Sequence, residues 1–149
     1  MSNDQQIAQD LMKIAEDGRQ GYAKGADELA GSDHPQWAGI FTQLSQQRAG
    51  FATEWHDVAE GHGEAVKAEG SAAAALHRGW MAVRDAVTGS GPDSVLRTAL
   101  QGEDHAIEAY EKALTGDVSA ETQAMARRQL AMIQSARQQL HTLLESAGH

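Results

Sequence analysis

The chain contains no cysteine, so disulfide bonds and thiolate metal ligands are excluded. It has only two prolines and few β-branched residues, whereas alanine and glutamine are abundant. This composition favours helix over strand, because proline breaks helices and β-branched side chains lose rotamer freedom in them. Long apolar runs are also missing, and the N-terminus MSNDQQIAQD is polar and acidic. We therefore expect neither a secretory signal nor a membrane span, and a cytoplasmic location.

Positive charge is scarce. Lysine and arginine number 12 against 21 aspartates and glutamates, which gives a formal net charge of -9 at pH 7. Surfaces that bind phosphate backbones or anionic lipid are built from clustered lysine and arginine. We therefore expect neither nucleic acid nor membrane as a partner. A chain of 149 residues is long enough to bury a core. Residues 1–149 are predicted to form a single domain.

Apolar periodicity divides the chain into five helical stretches, and Gly31, the Gly-Ser-Gly-Pro run at 89–92 and Gly116 separate several of them. The connections between the first two stretches and between the last two contain only a few residues, which predicts two antiparallel hairpins. The predicted helices cover approximately residues 3–30, 35–60, 71–88, 92–115 and 119–146.

Between the two hairpins lie some thirty residues that contain the shortest predicted helix. At about 1.5 Å per residue this helix spans roughly 27 Å, enough with its flanks to carry the chain from one end of a bundle to the other. One long crossover between two helical hairpins is the ferritin-like arrangement. The predicted fold is therefore all-α, a ferritin-like four-helix bundle with a long crossover that contains a short fifth helix.

Two charged residues, Arg48 and Glu103, stand at the centre of otherwise apolar helical stripes. Counted from the hairpin turns at about 1.5 Å per residue, both lie near the middle of the bundle. A buried charge is costly unless it is paired, so we expect these two to meet each other or a ligand. An ion pair here would fix the helix register. The apolar residues of the two stripes are Trp37, Phe41, Leu44, Phe51, Trp55 and Val58, and Leu96, Leu100, Ile107, Tyr110 and Leu114.

Other residues of the first and last helices fall at the same level. Gln129 lies in the apolar stripe of the last helix, where its amide is expected to complete a network with the charged pair. Asp17 lies at the edge of the first helix's stripe, and Gly18, Gly21 and Gly25 share one side of that helix. Glycine inside a helix costs about 1 kcal/mol relative to alanine, so the three suggest that space is made. Either close packing of a neighbouring helix or side chain, or a small ligand, would use it.

Four segments, in this order along nearly the whole chain, resemble an uncharacterised bacterial family of ferritin-like four-helix-bundle proteins labelled as a domain of unknown function. They are EDGRQGY at 16–22, QRAGFATE at 47–54, LHRGW at 76–80 and GEDHAIEAYEKAL at 102–114. The resemblance implies the fold and a bacterial origin. It brings no agreed reaction with it.

The wider ferritin-like class often holds two irons or manganeses with Glu from two helices and a Glu-x-x-His motif from each of the other two. No glutamate in this chain is followed by histidine three places on. The guanidinium of Arg48 is always protonated and cannot ligate a cation, so it opposes a dimetal centre at this level. If iron or manganese does bind, the expected carboxylates are Glu103, Asp17 and Glu54.

The remaining polar candidates have simpler interpretations. His105 and His56 each have a glutamate within one helical turn, but both are predicted to face solvent, His105 on the face opposite the buried glutamate. His77 flanks the apolar stripe of the crossover helix and is expected to anchor it by a hydrogen bond. Tyr22 and Tyr110 lie on core faces, where a buried phenol needs a hydrogen-bond partner.

These observations favour a non-enzymatic cytoplasmic bundle that acts through protein partners or self-association, with a homodimer as the expected assembly. Its Arg48–Glu103 layer takes the place of a dimetal site, and no cofactor is predicted. One alternative is a divergent metal-binding protein or di-iron or di-manganese oxidoreductase. A second is a bundle that binds a small ligand in the cavity lined by glycines.

Overall fold

The computed structural model describes residues 3–61 and 91–147, which form four α-helices and no strand. Four of the five predicted helices are thereby confirmed to within a few residues. The predicted crossover helix at 71–88, with His77, lies outside the described residues. No helix in the described part of the chain is both long enough and apolar enough to cross a bilayer. The helices are α1, Asp4–Ala30; α2, Gln36–Gly61; α3, Pro92–Leu114; and α4, Ala120–Ala147.

Local hydrogen bonds and one special backbone angle define where helices end and begin. After α1, the Ser32 hydroxyl donates to the Leu29 carbonyl at 2.7 Å and accepts the N–H of His34 at 3.0 Å. This closes the short turn that leads into α2. Gly91 precedes α3 with φ of 110°, a conformation that suits glycine, and Pro92 occupies the first turn. The predicted break before α3 is therefore where a helix starts.

The start of α1 is tied to the turn between α3 and α4. The buried Asp4 carboxylate accepts the N–H of Ser119 at 2.8 Å, and the N–H of Asn3 donates to the Asp117 carbonyl at 2.7 Å. The Ser119 hydroxyl in turn accepts the N–H of Thr122 at 3.2 Å, the capping interaction expected at a helix N-terminus. The N-terminus of α1 therefore lies beside the C-terminus of α3, so these helices are antiparallel.

Side-chain contacts between α2 and α3 show that these two helices run parallel. Arg48 bonds to Glu103, and seven residues further on in each helix Trp55 bonds to Tyr110. Residue numbers of contacting pairs increase together in both helices only when the helices point in the same direction. The predicted crossover would join these two helices and remains a prediction. The connecting residues, 62–90, lie outside the described residues.

The apolar core consists of two clusters on either side of the Arg48–Glu103 level. Each cluster contains three aromatic rings, but the Trp55 cluster places them among six alanines and one leucine, whereas the Phe41 cluster has three alanines and four leucines. The buried members are Ala8, Leu11, Ala15, Phe51, Trp55, Ala59, Ala106, Ala109, Tyr110, Ala126 and Ile133 in the Trp55 cluster. In the Phe41 cluster they are Tyr22, Ala26, Leu29, Trp37, Phe41, Leu44, Leu96, Ala99, Ala136 and Leu140.

Candidate functional site

Arg48 and Glu103 form a bidentate ion pair at the centre of the bundle. Arg48 Nη1 donates to Glu103 Oε1 at 2.6 Å, and Arg48 Nη2 donates to Glu103 Oε2 at 2.5 Å. The two residues are 2% and 0% exposed. Both carboxylate oxygens are therefore engaged by one planar cation, the strongest geometry for such a pair. The predicted buried ion pair is confirmed.

Neighbouring side chains hold the guanidinium in this position. Its central carbon lies 5.3 Å from the centroid of the Tyr22 ring and 5.8 Å from that of Phe51, distances at which aromatic rings attract a cation. Arg48 Nε donates to the Gln47 side-chain carbonyl at 3.1 Å. All three guanidinium nitrogens thus have an acceptor, which offsets the loss of water on burial.

Burial and the neighbouring charges determine how the groups of this layer hold their protons. Burial is the largest single influence and opposes the charge of Arg48, but the charge of Glu103, the hydrogen bonds to it and the neighbouring tyrosines together outweigh burial, so the pKa of Arg48 is raised above its ordinary value. Burial, followed by the charge of Glu103, raises the pKa of the Tyr22 phenol well above its ordinary value. Both groups therefore keep their protons at neutral pH. Neither is suited to act as a general base.

A small cavity lies beside the ion pair, between α1 and α3. Its volume is about 20 Å³, which is room for approximately one water molecule and far below the roughly 300 Å³ of a drug-sized ligand site. Asp17 is 5% exposed, and its carboxylate lies 3.9 Å from Lys13 Nζ. The structure thus brings Asp17, Gly18, Arg48 and Glu103 around one small space. The described residues that line it are Ile14, Asp17, Gly18, Arg48, Gly102, Glu103, His105 and Ala106.

Two of the three predicted space-making glycines are in close contact with side chains of α2. A Cβ added at Gly18 would lie 3.3 Å from Arg48 Cγ, and one added at Gly25 would lie 2.6 Å from the Phe41 ring. Gly21 is partly exposed and does not line the cavity. Gly18 and Gly25 therefore admit an arginine stem and an aromatic ring. Close packing, one of the two interpretations of these glycines, describes both positions.

Gln129 belongs to a second polar layer, one step along the bundle from the ion pair. We expected its amide to join Arg48 and Glu103, but its carbonyl accepts from Trp55 Nε1 at 2.6 Å and from the Tyr110 hydroxyl at 2.5 Å. Trp55 and Tyr110 follow the charged pair by seven residues, about 10 Å along a helix. The prediction placed Gln129 in the wrong layer, because heights counted from predicted turns inherit the uncertainty of the helix ends and take no account of how one helix is shifted against another.

The second layer continues to the surface through Glu54. The Gln129 side-chain N–H donates to Glu54 Oε1 at 3.0 Å, and Glu54 also pairs with Arg128 at the surface. Glu54 does not line the cavity that contains Asp17 and Glu103. The three carboxylates suggested for a metal site are therefore not gathered around one space. Across 3–61 and 91–147, no group of three or more His, Asp or Glu side chains is arranged to hold a metal ion.

Several contacts of the two layers were missed from the sequence. Tyr22 and Phe51 lie one helical turn from Gly18 and Arg48, so helical spacing gave a usable signal for both rings. His105 was predicted to face solvent opposite the buried glutamate, but it is partly buried and lines the cavity. The space between α1 and α3 extends past the stripe centred on Glu103, and periodicity within one helix does not show this.

Comparison with protein families classifies the chain. It belongs to the family described as Domain of unknown function (DUF2383), whose model matches residues 6–116. The match covers roughly three quarters of the chain, from α1 to the end of α3, and includes Arg48 and Glu103. It stops before α4. No curated protein and no solved structure matches the chain significantly.

Proposed function

We propose that this chain is a non-enzymatic, ferritin-like bundle protein that works through protein contacts, including contacts with its own copies. The observation that carries the proposal is the bidentate Arg48–Glu103 pair, which fills the middle of the bundle with a permanently charged cation. A pair of this kind holds the helices in one register and engages both carboxylate oxygens of Glu103.

The residues present do not fit the two-metal centre that ferritin-like bundles often contain. Both oxygens of Glu103 accept from Arg48, so metal binding would require this pair to separate and would leave a buried cation beside another cation. Glu54 is similarly occupied by Gln129 and Arg128. Metal chemistry therefore has no support from the arrangement of the carboxylates in the described residues.

The cavity beside the ion pair does not support the ligand-binding alternative. Its volume of about 20 Å³ suits one water molecule. Gly18 approaches the stem of Arg48 and Gly25 approaches Phe41, so the glycines do not enclose a larger space there. The cavity lined by glycines therefore lacks the room that the ligand-binding alternative requires, and protein contact is the class of function that we propose.

Metal loading followed by elemental analysis tests this proposal. We expect protein purified without chelator, then incubated with Fe²⁺ or Mn²⁺ and desalted, to retain well under one equivalent of metal per chain. Retention of one or two equivalents that is abolished in Glu103→Gln would overturn the proposal and favour the metal-binding alternative. Gln101→Glu on the exposed face of the same helix is the control for adventitious surface binding.

A further inference from the structure

The surface shared by α2 and α4 differs from the rest of this acidic molecule because it has almost no charge. From residue 36 to residue 53, α2 contains a single charged residue, Arg48, and that residue is buried. In α4, no charge occurs between Arg128 and Arg137. Arg137 bonds to Asp104 of α3, and Arg128 pairs with Glu54. Among the described residues of this chain with net charge -9, α2 and α4 thus share a long face free of unpaired charge.

A groove of about 370 Å³ runs along this face between α2 and α4. Met132 stands beside it and is 37% exposed, the most exposed large apolar side chain in the described part of the chain. An apolar side chain next to an uncharged groove is typical of protein interaction sites. The groove, which we call the α2/α4 groove, is lined by Leu44, Gln47, Ala131, Met132, Ser135, Ala136 and Gln139.

The polar groups of the α2/α4 groove are mostly amides. Gln47 and Gln139 line it, and the exposed Gln43 and Gln138 lie within one helical turn of lining residues. An amide carries both a donor and an acceptor, so an amide-rich surface can hydrogen-bond to a copy of itself. An interface with two-fold symmetry requires this self-complementarity, because the same patch appears on both sides.

We infer that the α2/α4 groove binds a second copy of this chain in a two-fold symmetric dimer. The inference rests on the proposed function and names its partner. Two copies that each carry a charge of -9 repel one another, and this face lets them approach without placing like charges opposite each other. Met132, which is exposed and lines the groove, would supply apolar contact between the two copies.

The size of the face sets the expected strength of the dimer. Residues 36–53 span about 27 Å along α2 and residues 129–136 about 12 Å along α4, and each helix is about 10 Å wide, so the uncharged face covers roughly 390 Å² in projection. Stable interfaces bury about 800 Å² per partner. We therefore expect a weak dimer with a dissociation constant on the order of micromolar or higher, which forms as protein concentration rises.

Sedimentation equilibrium of the full chain over a wide concentration range tests this inference. Wild type should shift from monomer to dimer. Gln139→Glu places two like charges in the interface and should weaken dimerisation at least roughly tenfold. The matched control is Gln101→Glu, the same isosteric change at an exposed site on α3, which should leave the dissociation constant within about twofold of wild type.

Thiol cross-linking provides a second measurement, because the chain contains no cysteine of its own. Ser135→Cys should give a covalent dimer with a short bis-maleimide, and Arg97→Cys on the exposed surface of α3 should not at the same protein concentration. Equal cross-linking of the two variants would contradict an interface at the α2/α4 groove, as would a wild type that stays monomeric up to millimolar concentration.

Two further outcomes separate this inference from the proposed function. If Gln139→Glu lowers the thermal stability of a monomeric protein by several degrees while Gln101→Glu does not, another part of the same chain covers the groove and the dimer is overturned. A protein that stays monomeric and retains no metal contradicts the inferred dimer. The proposed function then stands with a different protein as the partner. Stoichiometric metal uptake overturns the proposed function whatever the oligomeric state.

Discussion

The two polar layers of the bundle provide partners for their buried polar groups in different ways. In the Arg48–Glu103 layer, two opposite charges satisfy one another and the layer is closed. In the Gln129 layer, one neutral amide accepts from two aromatic side chains and donates to Glu54, so the layer is a chain that leads to the surface. Replacing both residues of the ion pair leaves no buried charge without a partner. Replacing any one residue of the Gln129 layer leaves a neighbouring polar group without its hydrogen bond.

The largest expected loss of stability follows from removing one charge of the Arg48–Glu103 pair. Arg48→Leu leaves the Glu103 carboxylate buried without its cation, and we expect a loss of about 3–5 kcal/mol in the free energy of unfolding. The double variant Arg48→Leu, Glu103→Leu removes both charges and should recover much of that loss. Unfolding in urea, followed by circular dichroism, measures each value.

Arg128→Leu is the matched control for the loss of an arginine. Its ion pair with Glu54 is exposed, so the same substitution should cost less than about 1 kcal/mol. If Arg48→Leu costs no more than Arg128→Leu, or if the double variant is as unstable as the single one, the distinction between a closed and an open layer fails.

Disrupting the Gln129 layer should destabilise the protein less, and a second substitution should not fully restore the lost stability. Gln129→Leu removes the acceptor for both Trp55 and Tyr110, which keep only their mutual contact at 3.2 Å. We expect a cost of about 2 kcal/mol, because buried donors lose a partner. Adding Tyr110→Phe removes one orphaned donor but leaves the indole N–H, so recovery should be incomplete. Gln134→Leu, at an exposed site of the same helix, should stay within about 0.5 kcal/mol of wild type.

The two buried tyrosines give the smallest and most selective comparison. Tyr110→Phe removes a hydroxyl that bonds to Gln129 and should cost about 1 kcal/mol. The Tyr22 hydroxyl has no hydrogen-bond partner among the described residues, so Tyr22→Phe should change stability by less than about 0.5 kcal/mol. Denaturant unfolding at pH 7 compares the two variants. A larger loss for Tyr22→Phe than for Tyr110→Phe would contradict this assignment of partners.

The same variants have a predictable pH dependence. Burial raises the pKa of both phenols above the ordinary tyrosine value, which is about 10. The unfolded chain therefore releases these protons before the folded chain does. The stability due to the neutral phenols is fully present below about pH 10 and is lost as the pH rises toward the folded pKa values. Each phenylalanine variant should lose less stability than wild type between pH 9 and about pH 11.

Most of the described fold was accessible from the sequence because its signals are local. Apolar spacing, capping residues and glycine or proline breaks located the four described helices to within a few residues. Short connections correctly predicted the two hairpins. The comparison of heights placed Arg48 and Glu103 together because a helix rises by a constant amount per residue and the pair lies in its middle. The predicted crossover helix and its His77 remain predictions.

The candidate site was less predictable in its details. Gln129 was assigned to the wrong layer, although its burial in the core was expected, and His105 was expected to be exposed. Both depend on how far one helix is shifted or rotated against another, which is decided by packing between helices. The Gln47 contact and the α2/α4 groove also arise from such packing. The cavity proved to be about 20 Å³ because Arg48 occupies the space beside Gly18.

By itself, the amino-acid sequence determined where the described helices lie, which residues face the core, and that two buried charges must find partners. These follow from helical periodicity and from the cost of burying a charge, and both act within one helix. Only the tertiary structure decided that the charges saturate each other, that the second layer is a separate chain of hydrogen bonds, and that α2 and α4 leave an uncharged groove. Those features depend on the relative height and rotation of different helices, which close packing of side chains sets.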